Sequence, residues 1–319
     1  MKARYAGGVT YLLVIVCLLL MRISSSLGVY AALGADPDAM FTCVVQILCF
    51  GALPLACWFA FAHGMRTDKL PALADDFSLK KPSLRNLLLT LALAIPAVAV
   101  TSAVSTAWTR ILYVIGYDFP SSDPVAQTAA ELFSELALVA VLPALFEEFT
   151  HRGLLLAAYG DRGERAALVS ALLFALMHQN IRQTGYTFVF GVILALVVIY
   201  SRSLLPAVLL HFFNNFVSVC YGFADMDPVF AFMDSARVWL QTDRIGSAVS
   251  AVIFVASAAA CILILYAMRT PLVKEGRLPA RFPAPVPADA LPLYKDIPFL
   301  VTVAAGVAVT VFSLVWRLT

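Results

Sequence analysis

Charge is what this chain has least of. Only 13% of its 319 residues are charged, 61% are hydrophobic, and the mean hydropathy is +0.88. A soluble domain averages about 25% charged and about 45–50% apolar residues, so a water-soluble fold is excluded. Disulfide and thiolate-metal patterns are missing as well. Cys17, Cys43, Cys49, Cys57, Cys220 and Cys261 all lie in apolar runs with no C-x-x-C spacing, which reads as small buried hydrophobes. There is no H-E-x-x-H, so an ordinary zincin is excluded. No internal repeat and no separate soluble domain is evident. The net charge of +2 is uninformative about nucleic acid, and no nucleic-acid partner is expected.

What is present is a succession of apolar runs. Nine segments, at about 7–28, 40–63, 86–108, 134–158, 164–182, 186–201, 203–223, 246–268 and 297–316, approach the ~20 residues that a ~30 Å hydrocarbon core requires. The expected fold is an all-α, polytopic transmembrane helical bundle with about nine spans. Met1-Lys-Ala-Arg4 and the following apolar run have the outline of a signal peptide, but we read the run as the first span. With the N-terminus inside, the cytoplasmic side receives Lys2, Arg4, Arg66, Lys69, Lys80, Lys81, Arg85, Arg162, Arg165 and Arg202. The 269–295 region adds five more basic residues there. The other side receives Arg110, Arg182, Arg237, Arg244 and Arg317, an asymmetry that favours N-in, C-out.

Three regions are expected: N-terminal spans over 1–123, core helices over 124–223, and C-terminal spans over 224–319. Gly116 to Pro124 reads as an outer loop whose Asp123-Pro124 pair would open a helix. Pro271 to Pro298 holds seven prolines and reads as a cytoplasmic linker.

Against this apolar background, polar side chains at membrane depth point to a functional site. Leu145-Phe-Glu-Glu-Phe-Thr-His-Arg-Gly153 carries Glu147, Glu148, His151 and Arg152 within apolar surroundings. His178 ends Phe174-Ala-Leu-Met-His178, and His211-Phe-Phe-Asn-Asn215 begins with a histidine. His63 falls at a span end beside Arg66 and needs no special role. At 1.5 Å per residue, Glu147, His178, His211 and Asn215 lie roughly 16, 20, 12 and 18 Å from the inner ends of their spans. Three helices thus bring their polar groups to similar depth. Spacing of four pairs Glu148 with Arg152 as a buried bridge and puts Glu147 and His151 on a neighbouring face. Pro143 and Pro206 precede Glu147 and His211 and are candidate kinks.

Two chemistries use such a set. A carboxylate and a neutral imidazole can activate one water, while a second histidine and an asparagine donate to the oxyanion. Alternatively Glu147, His178 and His211 hold one divalent metal, zinc, with an open position. Both end in peptide hydrolysis. Proton relay in a transporter, and helix–helix hydrogen bonding in a non-catalytic scaffold, are the competing readings.

Glu147-Glu148-Phe-Thr-His-Arg152 resembles the E-E-x-x-x-R motif of the CPBP family, the CAAX-protease and bacteriocin-processing (Abi) intramembrane peptidases. Phe174-x-x-x-His178 and His211-x-x-x-Asn215 are similar to its second and third motifs, in the same order. The resemblance covers roughly 124–223 and implies an intramembrane endopeptidase of the type II CAAX prenyl endopeptidase fold. It implies Glu147 as general base, His178 holding the water, His211 and Asn215 as oxyanion donors, and Glu148 with Arg152 in support. The family is described both as metalloprotease and as glutamate-dependent. His151 departs from the aromatic or aliphatic residue expected there; it reads as a tolerated substitution, with a further ligand or proton carrier as the alternative. The expected substrate is a peptide or protein, lipidated or membrane-associated, met in the lipid of a cell membrane that the chain crosses several times. An immunity or scaffold protein that keeps the fold without the chemistry stays open.

Overall fold

The computed structural model describes residues 2–32, 36–62, 77–117, 128–222, 228–288, 290 and 292–316, and every regular element among them is helical. Seven helices are long and apolar enough to cross a membrane: α1 (Lys2–Ser26), α2 (Asp38–Ala60), α3 (Leu84–Val114), α4 (Ala129–Ala158), α6 (Ile181–Ser201), α7 (Leu205–Gly222) and α9 (Arg244–Lys274). Between them lie α5 (Ala166–Met177) and α8 (Pro228–Thr242), and α10 (Ile297–Trp316) ends the described chain. Each of the nine expected segments contains a helix, and seven of the helices are long and apolar enough to count as spans among the described residues. The twelve residues of α5 rise ~18 Å, and α10 has twenty residues, Ile297–Trp316. His63, Asp123-Pro124 and Arg317 lie outside the described residues. The described α4 begins instead at a capping box, Thr128 with Glu131.

The break between α5 and α6 falls earlier than hydropathy suggests. Gln179 takes a left-handed conformation (φ 53°) and closes α5, and Asn180 caps α6 by accepting from the Arg182 N–H at 2.9 Å. The resulting hairpin is the buried centre of the bundle. Gly191 makes its tight packing possible, because a Cβ there would stand 3.0 Å from Ala171 and 3.3 Å from the Arg152 guanidinium. By contrast α9 is peripheral, with Ile245, Val252, Val255, Ile262 and Leu263 exposed on the lipid side.

Prolines act as connectors here. Each removes the N–H that an α-helix would direct at the carbonyl four residues earlier. Below Pro54, the Phe50 carbonyl accepts instead from Thr150 Oγ1 at 2.6 Å. Below Pro143, the Val139 carbonyl accepts from Asn215 Nδ2 at 2.9 Å. Below Pro271, the Ala267 carbonyl accepts from an Arg85 NH2 at 2.6 Å. Side chains of neighbouring helices thus satisfy the freed backbone groups, and α2 is tied to α4, α4 to α7, and α9 to α3. Pro206 does not fit the kink expectation. It is the second residue of α7, where a missing N–H costs nothing.

The segments expected on one membrane face do gather at one end of the bundle. Ser203 Oγ donates to the Lys80 carbonyl, and the Leu204 N–H donates to the Ser78 carbonyl at 2.8 Å. At the same end the Glu164 carboxylate, fully buried, accepts from Arg269 Nε at 2.6 Å, the Tyr200 hydroxyl at 2.9 Å and the Ala284 N–H at 2.8 Å. Arg269 also donates to the carbonyls of Pro279, Ala280 and Arg281. The proline-rich stretch is therefore strapped onto the bundle end. Pro271 belongs to α9 rather than to that stretch.

Candidate active site

Helix α4 carries the first motif in a short α-helical stretch, Leu142–Glu148, between two π-helical stretches, Leu136–Val141 and Phe149–Leu155. Such bulges widen a helix turn and recur at functional sites. The flanking helix α2 has its own π-stretch, Val45–Ala52, which presents Gln46 to α4. Gln46 Nε2 donates to Glu147 Oε1 at 2.8 Å, and both residues are buried. Nothing in the motif spacing singles out Gln46. The signal available was one uncharged polar residue within an otherwise apolar run.

Glu148 is fully buried and is the junction of the site. Its Oε1 accepts from an Arg152 NH1 at 2.7 Å and from His211 Nδ1 at 2.8 Å. The expected Glu148–Arg152 bridge is present, and it extends to α7. A carboxylate oxygen accepts, so His211 Nδ1 carries the proton and Nε2 is the free edge of that ring. Arg152 completes its contacts through NH2 to the Gly191 carbonyl at 3.2 Å.

Phe174 is the hub around which these groups pack. The Arg152 guanidinium lies over its ring at 4.3 Å. His178, His211 and His151 meet the ring edge-on, at 5.0, 5.8 and 5.0 Å between centroids. His178 Nδ1 donates to the Phe174 carbonyl at 2.8 Å, leaving Nε2 as the lone-pair edge of a neutral ring. An Arg22 NH2 from α1 reaches the His178 carbonyl at 3.2 Å, a contact the span assignment did not anticipate.

The arrangement sorts the sequence candidates. Glu148, Arg152 and His211 are joined directly, and His178 shares Phe174 with them. Among the described residues, no direct hydrogen bond joins the Glu147 carboxylate to His178 or His211. Asn215 sits one helical turn beyond His211. One amide N–H is spent on Val139, and Oδ1 accepts from Asn214 at 3.3 Å, which itself accepts from Thr101 Oγ1 at 3.1 Å. The second Asn215 N–H has no partner among the described residues.

His151 faces the other way. Its Nδ1 donates to the Glu147 backbone carbonyl at 2.7 Å rather than to the carboxylate, and Nε2 lies 2.8 Å from the Tyr11 hydroxyl. That hydroxyl is also 2.7 Å from the Leu173 carbonyl, so its one proton is divided between two acceptors when the ring is neutral. Phe50 and Phe174 wall the ring off on its sides. Its contacts anchor α1 to α4.

The zinc reading needs three ligands around one point. Among the described residues, no three His, Cys, Asp or Glu side chains are grouped closely enough to hold a metal ion. Glu147, His178 and His211 therefore do not form a ready-made ligand set.

With this geometry in place, comparison with known proteins is direct. Residues 129–217 match the family model of type II CAAX prenyl endopeptidase Rce1-like proteins. The matched stretch runs from the start of α4 into α7 and contains all three motifs. It is the CAAX-protease family that those motifs resemble, and the matched segment, similar to Rce1-like proteins, is set among the helices of a multi-pass membrane protein. No curated protein and no solved structure matches the chain.

Proposed function

We propose that the chain is an intramembrane endopeptidase that cleaves a peptide bond with a water activated by Glu147. The observation that carries this reading is the buried Glu148 that joins α4 to α7, with Arg152 on one side and His211 on the other. A pair needed only to neutralise an arginine has no use for the imidazole.

Glu147 keeps one carboxylate oxygen on Gln46, and its other oxygen takes a proton from water as the water oxygen attacks the carbonyl carbon. His178 accepts the water's second hydrogen through Nε2 and fixes its orientation. The carbonyl oxygen becomes an oxyanion, which accepts from the spare Asn215 N–H and from His211 Nε2. For the latter donation His211 carries a proton on both nitrogens, and the ionised Glu148 at 2.8 Å stabilises that imidazolium. When the tetrahedral species collapses, the C–N bond breaks and Glu147 returns its proton to the leaving nitrogen. Gln46 is a positioning residue for Glu147, as Glu148 is for His211.

The similarity to Rce1-like proteins supports a prenylated, membrane-associated protein as the substrate class. The basic ends of the helices support N-in, C-out insertion in a cell membrane, with the 78–80, 162–165, 202–204 and 269–284 segments cytoplasmic. The test uses the purified protein in detergent and a quenched peptide library. Glu147→Ala should abolish cleavage, and Gln46→Leu should lower turnover at least tenfold while leaving substrate affinity near wild type. Equal cleavage by wild type and Glu147→Ala would end the proposed base role. Activity that survives exhaustive chelation is expected, with elemental analysis finding less than one metal per chain. A stoichiometric metal lost in His178→Ala would restore the zinc reading.

A further inference from the structure

Four polar groups from three helices form one chain a helical turn beyond His211. Thr101 Oγ1, on α3, lies 3.1 Å from Asn214 Oδ1 on α7. Asn214 Nδ2 donates to Oδ1 of the next residue, Asn215, at 3.3 Å, and Asn215 Nδ2 donates to the Val139 carbonyl on α4 at 2.9 Å. Consecutive residues of a helix do not face each other, so this contact needs both amides turned toward one another. Thr101 is buried and lies outside the 129–217 stretch that matches the family model.

The chain has a direction, and its far end sets it. A backbone carbonyl only accepts, and the Val139 carbonyl is the one that Pro143 leaves without a helical N–H. Asn215 must therefore present its NH2 edge to α4 and its oxygen to Asn214. Asn214 must then present its own NH2 edge to that oxygen, which leaves its Oδ1 facing Thr101. Reversing Asn215 would set its oxygen against the Val139 oxygen, and reversing Asn214 would set oxygen against oxygen between the two amides. The last donor is the Thr101 hydroxyl, which has one proton and three acceptors in reach. The other two are the Ala97 and Val98 carbonyls of its own helix, each at 3.0 Å. A helical threonine can satisfy itself on either of those, and only donation to Asn214 completes the chain.

We propose that Thr101, acting through Asn214, is a positioning residue for Asn215 and holds its amide with the NH2 edge on the α4 side. The proposal rests on the oxyanion role given to Asn215 above. The terminal torsion of an asparagine is soft, with two orientations that differ by exchange of oxygen and nitrogen. In one, the amide offers the oxyanion an N–H. In the other, it offers an oxygen that repels it. Val139 at one end and Thr101 at the other select the first orientation, and Asn214 carries the choice from α3 to Asn215. One oxyanion donor is worth about 10²–10³ in kcat, so an amide that turns over part of the time should cost less, about fivefold.

Cleavage of the quenched peptides by the full chain in detergent is compared with two changes at one position. Thr101→Val removes the hydroxyl at constant shape, and Thr101→Ser keeps it. Thr101→Val should lower kcat about fivefold with KM near wild type, and Thr101→Ser should recover most of the rate. In an Asn215→Ala background Thr101→Val should add no further loss, because no amide is left to orient. A second readout needs no turnover. With isotope-labelled asparagine, the side-chain NH2 resonances of Asn215 are assigned by their loss in Asn215→Ala. They should form one ordered pair in wild type and Thr101→Ser, and be broadened or doubled in Thr101→Val. Asn214→Ala removes the link itself and should match Thr101→Val in both readouts, which covers a Thr101→Val chain that fails to fold. An unchanged kcat in Thr101→Val overturns the proposal. So does an equal loss with and without Asn215, which would make Thr101 a packing contact. Wild-type turnover in Asn215→Ala, or no cleavage by wild type, removes the reading beneath the proposal, and the proposal falls with it. An undisturbed Asn215 resonance in Thr101→Val marks instead a failure of the Thr101 link alone.

Discussion

Replacing Glu148 and Arg152 together separates chemistry from neutralisation. Glu148→Leu alone strands the Arg152 guanidinium, 1% exposed, without its anion. Breaking a buried pair in this way costs about 3–5 kcal/mol, a large part of the roughly 5–15 kcal/mol that holds a typical protein folded. Glu148→Leu with Arg152→Met removes both charges and fills the space with apolar atoms, an exchange that is often neutral. Two losses remain, the donor to the Gly191 carbonyl, about 1 kcal/mol, and the acceptor of the buried His211 Nδ1, about 1–3 kcal/mol. Melting in detergent should therefore show a single variant that is badly destabilised and a double variant that recovers much of the loss. Turnover should not follow stability. In both variants His211 Nδ1 loses its acceptor at 2.8 Å, and with it the orientation and charge that the oxyanion step uses. We expect a loss of about 10²–10⁴ in kcat, equivalent to about 2.7–5.5 kcal/mol of barrier. A well-folded double variant with wild-type turnover would refute the reasoning. Glu148 would then serve only to neutralise Arg152, as the sequence alone suggests.

Three further outcomes are expected. Pro143→Ala restores an N–H that competes with Asn215 for the Val139 carbonyl, so stability should change by less than about 1 kcal/mol while turnover falls several-fold. An unchanged rate would remove Asn215 from the oxyanion site. Tyr11→Phe leaves His151 Nε2 and the Leu173 carbonyl without their shared donor, which should cost about 1–3 kcal/mol in thermal unfolding and leave the normalised rate intact. A stable but inactive variant would make His151 a chemical participant. Glu164→Ala removes the acceptor of Arg269 Nε, Tyr200 and the Ala284 N–H, so limited proteolysis should cut within 275–296 far faster than in wild type. Equal protection would show that the strap is held by other contacts.

The expectation of Glu148 beside Arg152 needed only a spacing of four, and the 2.7 Å bridge follows from helix geometry alone. The same rule puts His151 beside Glu147 without saying which atom it meets. It faces the Glu147 carbonyl and Tyr11 because its ring reaches back along its own helix. Pro143 was visible in the sequence as a kink, but its consequence was not. A freed carbonyl has meaning only once α7 brings Asn215 to it. Pro206 shows the converse, since only the observed start of α7 reveals that it sits in a first turn. Gln46, Tyr11 and Arg22 were out of reach of sequence reasoning, because partners separated by more than a hundred residues leave no local pattern.

The sequence by itself determined that this is a helical membrane protein, which segments are helical, and which scarce polar groups those helices carry. Those properties follow from hydropathy, a fixed rise per residue and the cost of charge in hydrocarbon, all of which are local. Only the tertiary structure decided that α5 closes at Gln179 and that the carboxylate of Glu148 rather than that of Glu147 bonds a histidine. It alone decided that Gln46 steadies Glu147 and that proline-freed carbonyls tie the helices together. Each of these depends on which side chain arrives at a given carboxylate or carbonyl from another helix. Packing sets that meeting, and no periodicity within one helix encodes it.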